Sequence, residues 1–258
     1  MLSATETKLL AAGVLGAIGL SLVVYSVILV RRCPLGPLQS LLFGFNLVMS
    51  RILWRARVSG PLPLRPDEGA VIVCNHRAPI DPAFVYLTTN RVVHWMVAKE
   101  YCLHPALAWF FRTCECIAVG RGGIDTSATK TAIRCARNGG LVGLFPEGRI
   151  NTTEEVLLPG RPGAAMIALR ARVRVVPCYV SGSPYDGTTW GCLFMPAKAR
   201  LKVGRPIDLS EFFGRENDRE VLEHLTRRFL SEIARLAGQP DYQPKLAGRF
   251  YKPRLAGR

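Results

Sequence analysis

From Ala70 to Val203 the chain alternates short apolar runs with segments of helical period, and that alternation leaves few folds open to it. Ala70–Cys74, Val92–Ala98, Cys116–Val119, Leu141–Phe145, Val175–Val180 and Ala199–Val203 read as buried strands. Pro82–Thr89, Pro105–Arg112, Ser127–Arg137 and Gly163–Arg172 read as the helices between them, the third closed by Asn138, Gly139 and Gly140. The expected architecture is α/β: a single domain with a mainly parallel sheet flanked by helices. Pro61, Pro63 and Pro66 mark a linker, so this domain is set at residues 61–212. Residues 213–258 form the C-terminal part. Within it, Glu216–Ala237 is a long amphipathic helix with Leu222, Leu225, Phe229, Ile233 and Leu236 on one side. The last stretch, basic and rich in Pro and Gly, reads as a loosely held tail.

Ahead of the domain, Leu9–Val30 carries no charge. As a helix it would span ~33 Å, about the core of a bilayer. Lys8 precedes it and Arg31 and Arg32 follow, with no small-residue cleavage pattern. Gly13, Gly16 and Gly19 weaken a helix in water but are tolerated in lipid. Residues 1–32 are therefore expected to be a transmembrane anchor, a buried core helix being the competing reading. Residues 33–60 hold Arg51, Arg55 and Arg57 and no acid. Leu38, Leu41, Leu42, Phe45, Val48, Met49 and Ile52 recur there at helical spacing, with Trp54 near the end. This reads as a basic amphipathic helix in the membrane interface, or else as a plain packing helix. Arginines on the C-terminal flank predict an inner or cell membrane location with the main domain facing the cytoplasm.

The net charge of +15 and the pI near 9.9 call for anionic partners. Nucleic acid is not expected, because no RNP-type motif, zinc-finger spacing or recognition helix is present. The charge lies beside apolar stretches instead, which points to the membrane bilayer. Of the eight cysteines, Cys74, Cys135 and Cys178 sit in apolar segments as free thiols do. Cys114 and Cys116 lack a Cys or His pair at metal spacing, so no metal site is expected.

Two motifs carry the chemistry. Asn75–Asp81 (NHRAPID) and Phe145–Arg149 (FPEGR) each close an apolar strand. His76 thus stands at a strand's C-terminal end, where ligands bind in open α/β sheets. Its neutral imidazole is a general base near pH 7. Asp81 is suited to hold the other ring nitrogen, with the nucleophile supplied by a substrate hydroxyl. It precedes Pro82 at a first helical position, so it reads equally as a helix N-cap. Pro79 and Pro82 keep the intervening segment from being helical throughout. In FPEGR, Pro146 and Gly148 force a turn whose amides can face a ligand, and Arg149 offers bidentate phosphate recognition. Glu147 suits substrate hydroxyls or the orientation of that arginine. Arg121, in AVGRGG after the third strand, is a second candidate phosphate clamp. No G-x-S-x-G elbow occurs, and Ser181–Ser183 does not match one. The Gly-Lys-Ser/Thr ending of a P-loop is missing as well.

On these residues the chain resembles the glycerolipid acyltransferases of the lysophosphatidic acid acyltransferase type. Asn75, His76 and Asp81 match the family's N-H-x-x-x-x-D block, and Phe145–Gly148 match its F-P-E-G block. Cys116–Arg121 and Val175–Val180 are similar to its second and fourth blocks. The resemblance implies transfer of a fatty acyl group from acyl-CoA or an acyl carrier protein thioester to the free hydroxyl of a lysophospholipid, with no cofactor. It implies His76 as base and Asp81 as its partner. Arg121, Glu147, Gly148 and Arg149 would be acceptor-binding residues, with Asn75 beside them. Two departures, Ala78 and the direct passage from Gly148 to Arg149, sit near the acceptor pocket and leave the acceptor open. A CoA-independent transacylase or hydrolase at the same site, and a silent lipid-binding protein, are the competing functions.

Overall fold

The computed structural model of the chain describes Gly13, Gly16, residues 35–120 and residues 125–248. Apart from those two glycines, the expected anchor Leu9–Val30 lies outside the described residues, as does Arg121. Among the described residues no helix is long and apolar enough to cross a membrane.

The elements run α1 (Pro37–Ile52), β1 (Arg57–Val58), β2 (Ala70–Cys74), α2 (Asp81–Val85), β3 (Val93–Ala98), α3 (Lys99–Cys102), α4 (Ala108–Thr113), β4 (Ile117–Val119), α5 (Thr126–Arg137), β5 (Leu141–Leu144), α6 (Gly163–Ala171), β6 (Arg174–Ser181), β7 (Arg200–Val203) and α7 (Arg219–Ala237). The strands form one sheet in the order β1-β7-β6-β2-β5-β3-β4. Every pairing is parallel except β6 with β7. This is the α/β single-domain architecture that the alternation predicts.

β2 sits near the middle, and all five of its residues are buried. Side chains alternate across a strand, so Val71 and Val73 face one layer while Ala70, Ile72 and Cys74 face the other. The first layer is filled by Ala132, Ala165, Leu169, Leu225 and Phe229 from α5, α6 and α7. The second is filled by Trp54, Phe84 and Trp95. Both faces are covered, which is why the strand reads as an unbroken apolar run. Burying Val71, Ile72 and Val73 fully contributes ~1.5–3 kcal/mol each before chain entropy is charged against it. α5 is capped by Asp125, which accepts from Ala128 N at 3.0 Å. It ends where Gly139 takes a φ of +89°, and a Cβ there would lie 2.6 Å from the Asp67 carbonyl oxygen.

Three sequence expectations need correction. First, the helix expected within residues 33–60 ends at Ile52, and Arg57–Val58 then pairs with β7 as a sheet strand, so the sheet begins before residue 61. Arg55, at φ +40°, makes the turn. Trp54, read as an interfacial aromatic, is 2% exposed and donates from Nε1 to the Cys192 carbonyl at 3.1 Å. Second, α7 belongs to the domain core, with Leu225, Phe229, Leu230 and Ile233 buried against the sheet layer. Third, the described part of the tail is tied down. Tyr242 Oη donates to the Leu157 carbonyl at 2.9 Å, and Gly160 exchanges backbone bonds with Lys245 and Ala247, each 2.9 Å. The expected loose tail missed these bonds because their partners lie far off in sequence. All seven described cysteines are free.

Candidate active site

β2 and β5 are parallel neighbours, with Val73 opposite Leu144. The chain therefore leaves both strands on the same edge of the sheet, and the two motifs emerge side by side. His76 N donates to Glu147 Oε1 at 2.8 Å, and Asn151 N donates to the His76 carbonyl at 2.7 Å. These two bonds of the His76 backbone lock the first motif onto the second and onto the segment that follows it.

His76 Nδ1 lies 3.0 Å from Asp81 Oδ2. The same oxygen accepts from Arg77 N at 2.5 Å and Ala78 N at 2.8 Å, an arrangement suited to a carboxylate. It accordingly accepts a hydrogen bond from Nδ1–H, the tautomer that leaves Nε2 with the lone pair. Asp81 is completely buried, whereas 16% of the His76 side chain is exposed. The Asp81 carboxylate reaches back to residues 76–78 and makes no capping bond to α2, whose N-cap is Ile80. This separates the two readings of Asp81: its bonds belong to the histidine turn.

The imidazole is held from its face as well. Phe145 stacks on it with centroids 3.8 Å apart and planes 6° apart. Trp95 stacks on the far side of Phe145 at 4.9 Å. Trp95 fits because Gly143 on β5 has no side chain, where a Cβ would come within 2.6 Å of the indole.

Sequence reading missed one member of the cluster. Ser183 Oγ donates to Asp81 Oδ1 at 2.6 Å. Ser183 follows β6, which is the other neighbour of β2. Its only sequence signal is a small polar residue just past an apolar strand, and that does not reveal which strand lies alongside. Two of the expected acceptor-binding residues make bonds within the protein. Asn75 is fully buried and clasps β6, donating from Nδ2 to the Val180 carbonyl at 2.9 Å and accepting from Val180 N at 2.7 Å. Its amide holds β2 and β6 together. Glu147 is 3% exposed, and its second oxygen accepts from Leu158 N at 2.8 Å. It organises the turn through these two amides.

Burial pushes the Glu147 carboxyl up to about 7, against the downward pull of the Leu158 and His76 amides and of Arg77. An unfolded glutamate titrates near 4.5, so between these values the folded chain holds a proton that the unfolded chain has lost. This contribution to stability is full at acid pH and is lost as pH rises through about 7. Urea unfolding from about pH 5 to about pH 8 is expected to cost the wild type roughly 2–3 kcal/mol more than it costs Glu147→Gln. Equal slopes in the two proteins would show that Glu147 does not titrate in this way.

The FPEG turn leaves Gly148 exposed at φ +69°. Arg161 lies over it, with Nε 3.2 Å from the position a Cβ would take. Arg149 is half-buried and has no hydrogen bond or ion pair among the described residues. Arg77, by contrast, is committed to the carbonyls of Asn151, Thr153 and Glu155. The edge thus joins a base with an oriented lone pair to a turn flanked by cations. A hydroxyl whose substrate also carries an anion is the chemistry this suits. Among the described residues no group of His, Cys, Asp and Glu is arranged to hold a metal ion.

The sequence profile of the acyltransferase family matches residues 55–181. A 1-acyl-sn-glycerol-3-phosphate acyltransferase of Bacillus subtilis is 28% identical over 179 residues, covering 69% of this chain and 86% of that protein. One of Streptococcus pneumoniae is 28% identical over 173 residues, covering 66% and 61%. The crystal structure of a 1-acyl-sn-glycerophosphate acyltransferase from Thermotoga maritima superposes with a TM-score of 0.58 at 21% identity, over 79% of this chain and 80% of that one. At that identity the likeness is one of fold.

Proposed function

We propose that the chain, whose residues 55–181 match the acyltransferase family and whose relatives include 1-acyl-sn-glycerol-3-phosphate acyltransferases, is an O-acyltransferase that acylates the free hydroxyl of 1-acyl-sn-glycerol-3-phosphate to give phosphatidic acid. The donor is acyl-CoA or an acyl carrier protein thioester. The observation that carries this reading is the His76–Asp81 pair beside a turn flanked by Arg149 and Arg161. Ser183 is committed to Asp81, so the nucleophile is the substrate's own hydroxyl.

His76 Nε2 takes the hydroxyl proton as the oxygen attacks the thioester carbonyl. Asp81 stabilises the imidazolium that results. The tetrahedral adduct collapses, the C–S bond breaks, and the imidazolium returns its proton to the leaving thiolate. Arg149 and Arg161 hold the acceptor phosphate, with Arg121 as a third clamp by sequence. Residues 1–32 anchor the chain in the inner or cell membrane with the domain facing the cytoplasm, which brings the site to its lipid substrates.

The test is an acceptor panel run with both thioester donors and, separately, with a phospholipid donor. Lysophosphatidate is expected to be acylated fastest, and from a thioester. Absence of acyl transfer to every acceptor would end the proposal, and dependence on the phospholipid donor would recast it as transacylation. Arg149→Gln is expected to raise KM for lysophosphatidate about 10-fold or more and to leave KM for a phosphate-free monoacylglycerol unchanged. An equal change for both acceptors would remove Arg149 from the phosphate site.

A further inference from the structure

The large hydrophobic side chains exposed among the described residues fall in only three segments: α1, Tyr101–Trp109 and Trp190–Phe194. Phe194 is 80% exposed, Ile52 73%, Leu103 65% and Trp109 54%, far beyond what a scattered surface residue needs. The structure ties the three together. Gln39 at the start of α1 donates to the carbonyl of Thr113, the last residue of α4, at 2.9 Å. At its other end, Ala197 N donates to the Leu53 carbonyl at 3.1 Å, so the loop bearing Phe194 abuts the end of α1. Midway, Asn46 Nδ2 donates to the Ala83 carbonyl of α2 at 2.9 Å, two residues from Asp81. The apolar segments therefore frame the side of the domain on which the His76 turn lies.

Charge narrows what covers this face. Pro37–Val58, Leu103–Cys114 and Gly187–Val203 contain no Asp or Glu, and the acids at their edges are Glu100, Glu115 and Asp186. They carry Arg51, Arg55, Arg112, Lys198 and Arg200, all exposed. Apolar and aromatic side chains mixed with cations match an anionic bilayer surface. A second copy of the chain would bring like-charged rims together. The uncharged run Leu9–Val30 ends shortly before α1, so by sequence the chain enters α1 from a membrane.

We propose that Leu103–Trp109 and Trp190–Phe194 are membrane anchors beyond the N-terminal segment, and that with α1 they seat the opening of the His76 site on an anionic lipid surface. The proposal rests on the lipid acylation reading, which requires the hydroxyl to be taken from a bilayer. Three seats, instead of one anchor, fix how the domain is turned relative to the membrane. That orientation decides whether a lipid head group can reach His76 without leaving the bilayer.

The test uses the full chain in vesicles of phosphatidylcholine and phosphatidylglycerol, with and without acyl chains brominated near mid-depth. Trp54 and Trp95 are each 2% exposed, so quenching by brominated lipid reports chiefly on Trp109 and Trp190. Quenching is expected in the wild type and is expected to fall in part in both Trp109→Phe and Trp190→Phe. Quenching by aqueous iodide without quenching by brominated lipid would overturn the proposal. Phe194→Glu is expected to slow acylation of long-chain lysophosphatidate in vesicles roughly 10-fold, with no change toward a short-chain monomeric acceptor. Equal loss on both acceptors would also overturn it. Should the wild type acylate neither acceptor, the acylation reading fails by itself, and the quenching pattern still decides the docking.

Discussion

Replacing His76 by alanine lowers kcat/KM for acyl transfer by about 10²–10⁴-fold, the usual worth of a positioned general base. A lipid alcohol is a poor nucleophile at neutral pH, and the carboxylates beside His76, Asp81 and Glu147, are buried. The variant keeps its fold. The two bonds that tie His76 to Glu147 and Asn151 are made by its backbone and survive the change. The stack on Phe145 is lost, worth about 0.5–1.5 kcal/mol. Initial rates and a urea unfolding curve measured on the same preparation separate the two effects. Turnover near that of the wild type would show that the imidazole is not the base.

Asp81→Ala is expected to damage both stability and rate. The carboxylate is fully buried and accepts from His76 Nδ1, Arg77 N, Ala78 N and Ser183 Oγ at 2.5–3.0 Å. Removing it strands the buried Ala78 amide and three part-buried donors at once, which costs about 3 kcal/mol or more in unfolding free energy. Asp81→Asn keeps the volume and an acceptor oxygen, so it costs about 1 kcal/mol. It removes the charge that stabilises the imidazolium, and kcat is expected to fall on the order of 10²–10⁴-fold. The pair of variants separates folding from chemistry. Asp81→Asn with full activity would leave Asp81 only its part in holding the turn, and Asp81→Ala with full stability would contradict the hydrogen-bond geometry.

The elements were legible because burial on both faces writes an apolar run into the chain. Ala70–Cys74 was read to the residue, and the other strands of 70–203 to within a residue or so at each end. The helix after β2 was read too long, since Asp81–Val85 is a single short turn of helix. β1 was not legible at all. Two residues carry no period, and what makes them a strand is the edge of β7 beside them. In the site, the spacing of His76 and Asp81 around two prolines already implied a non-helical turn joining their side chains. The aromatic stack was not legible, because nothing local links Trp95 and Gly143 to Phe145.

By itself the sequence determined the strands from β2 onward, most helices and the pairing of His76 with Asp81, because hydrophobic period and short-range turn chemistry act over a few residues. Only the tertiary structure decided which strands lie next to β2, and hence that Ser183 serves Asp81, that Asn75 clasps Val180, and that Glu147 turns inward to two amides. A buried polar side chain must satisfy its hydrogen bonds with whatever the fold sets beside it, and that neighbour can be a hundred residues away.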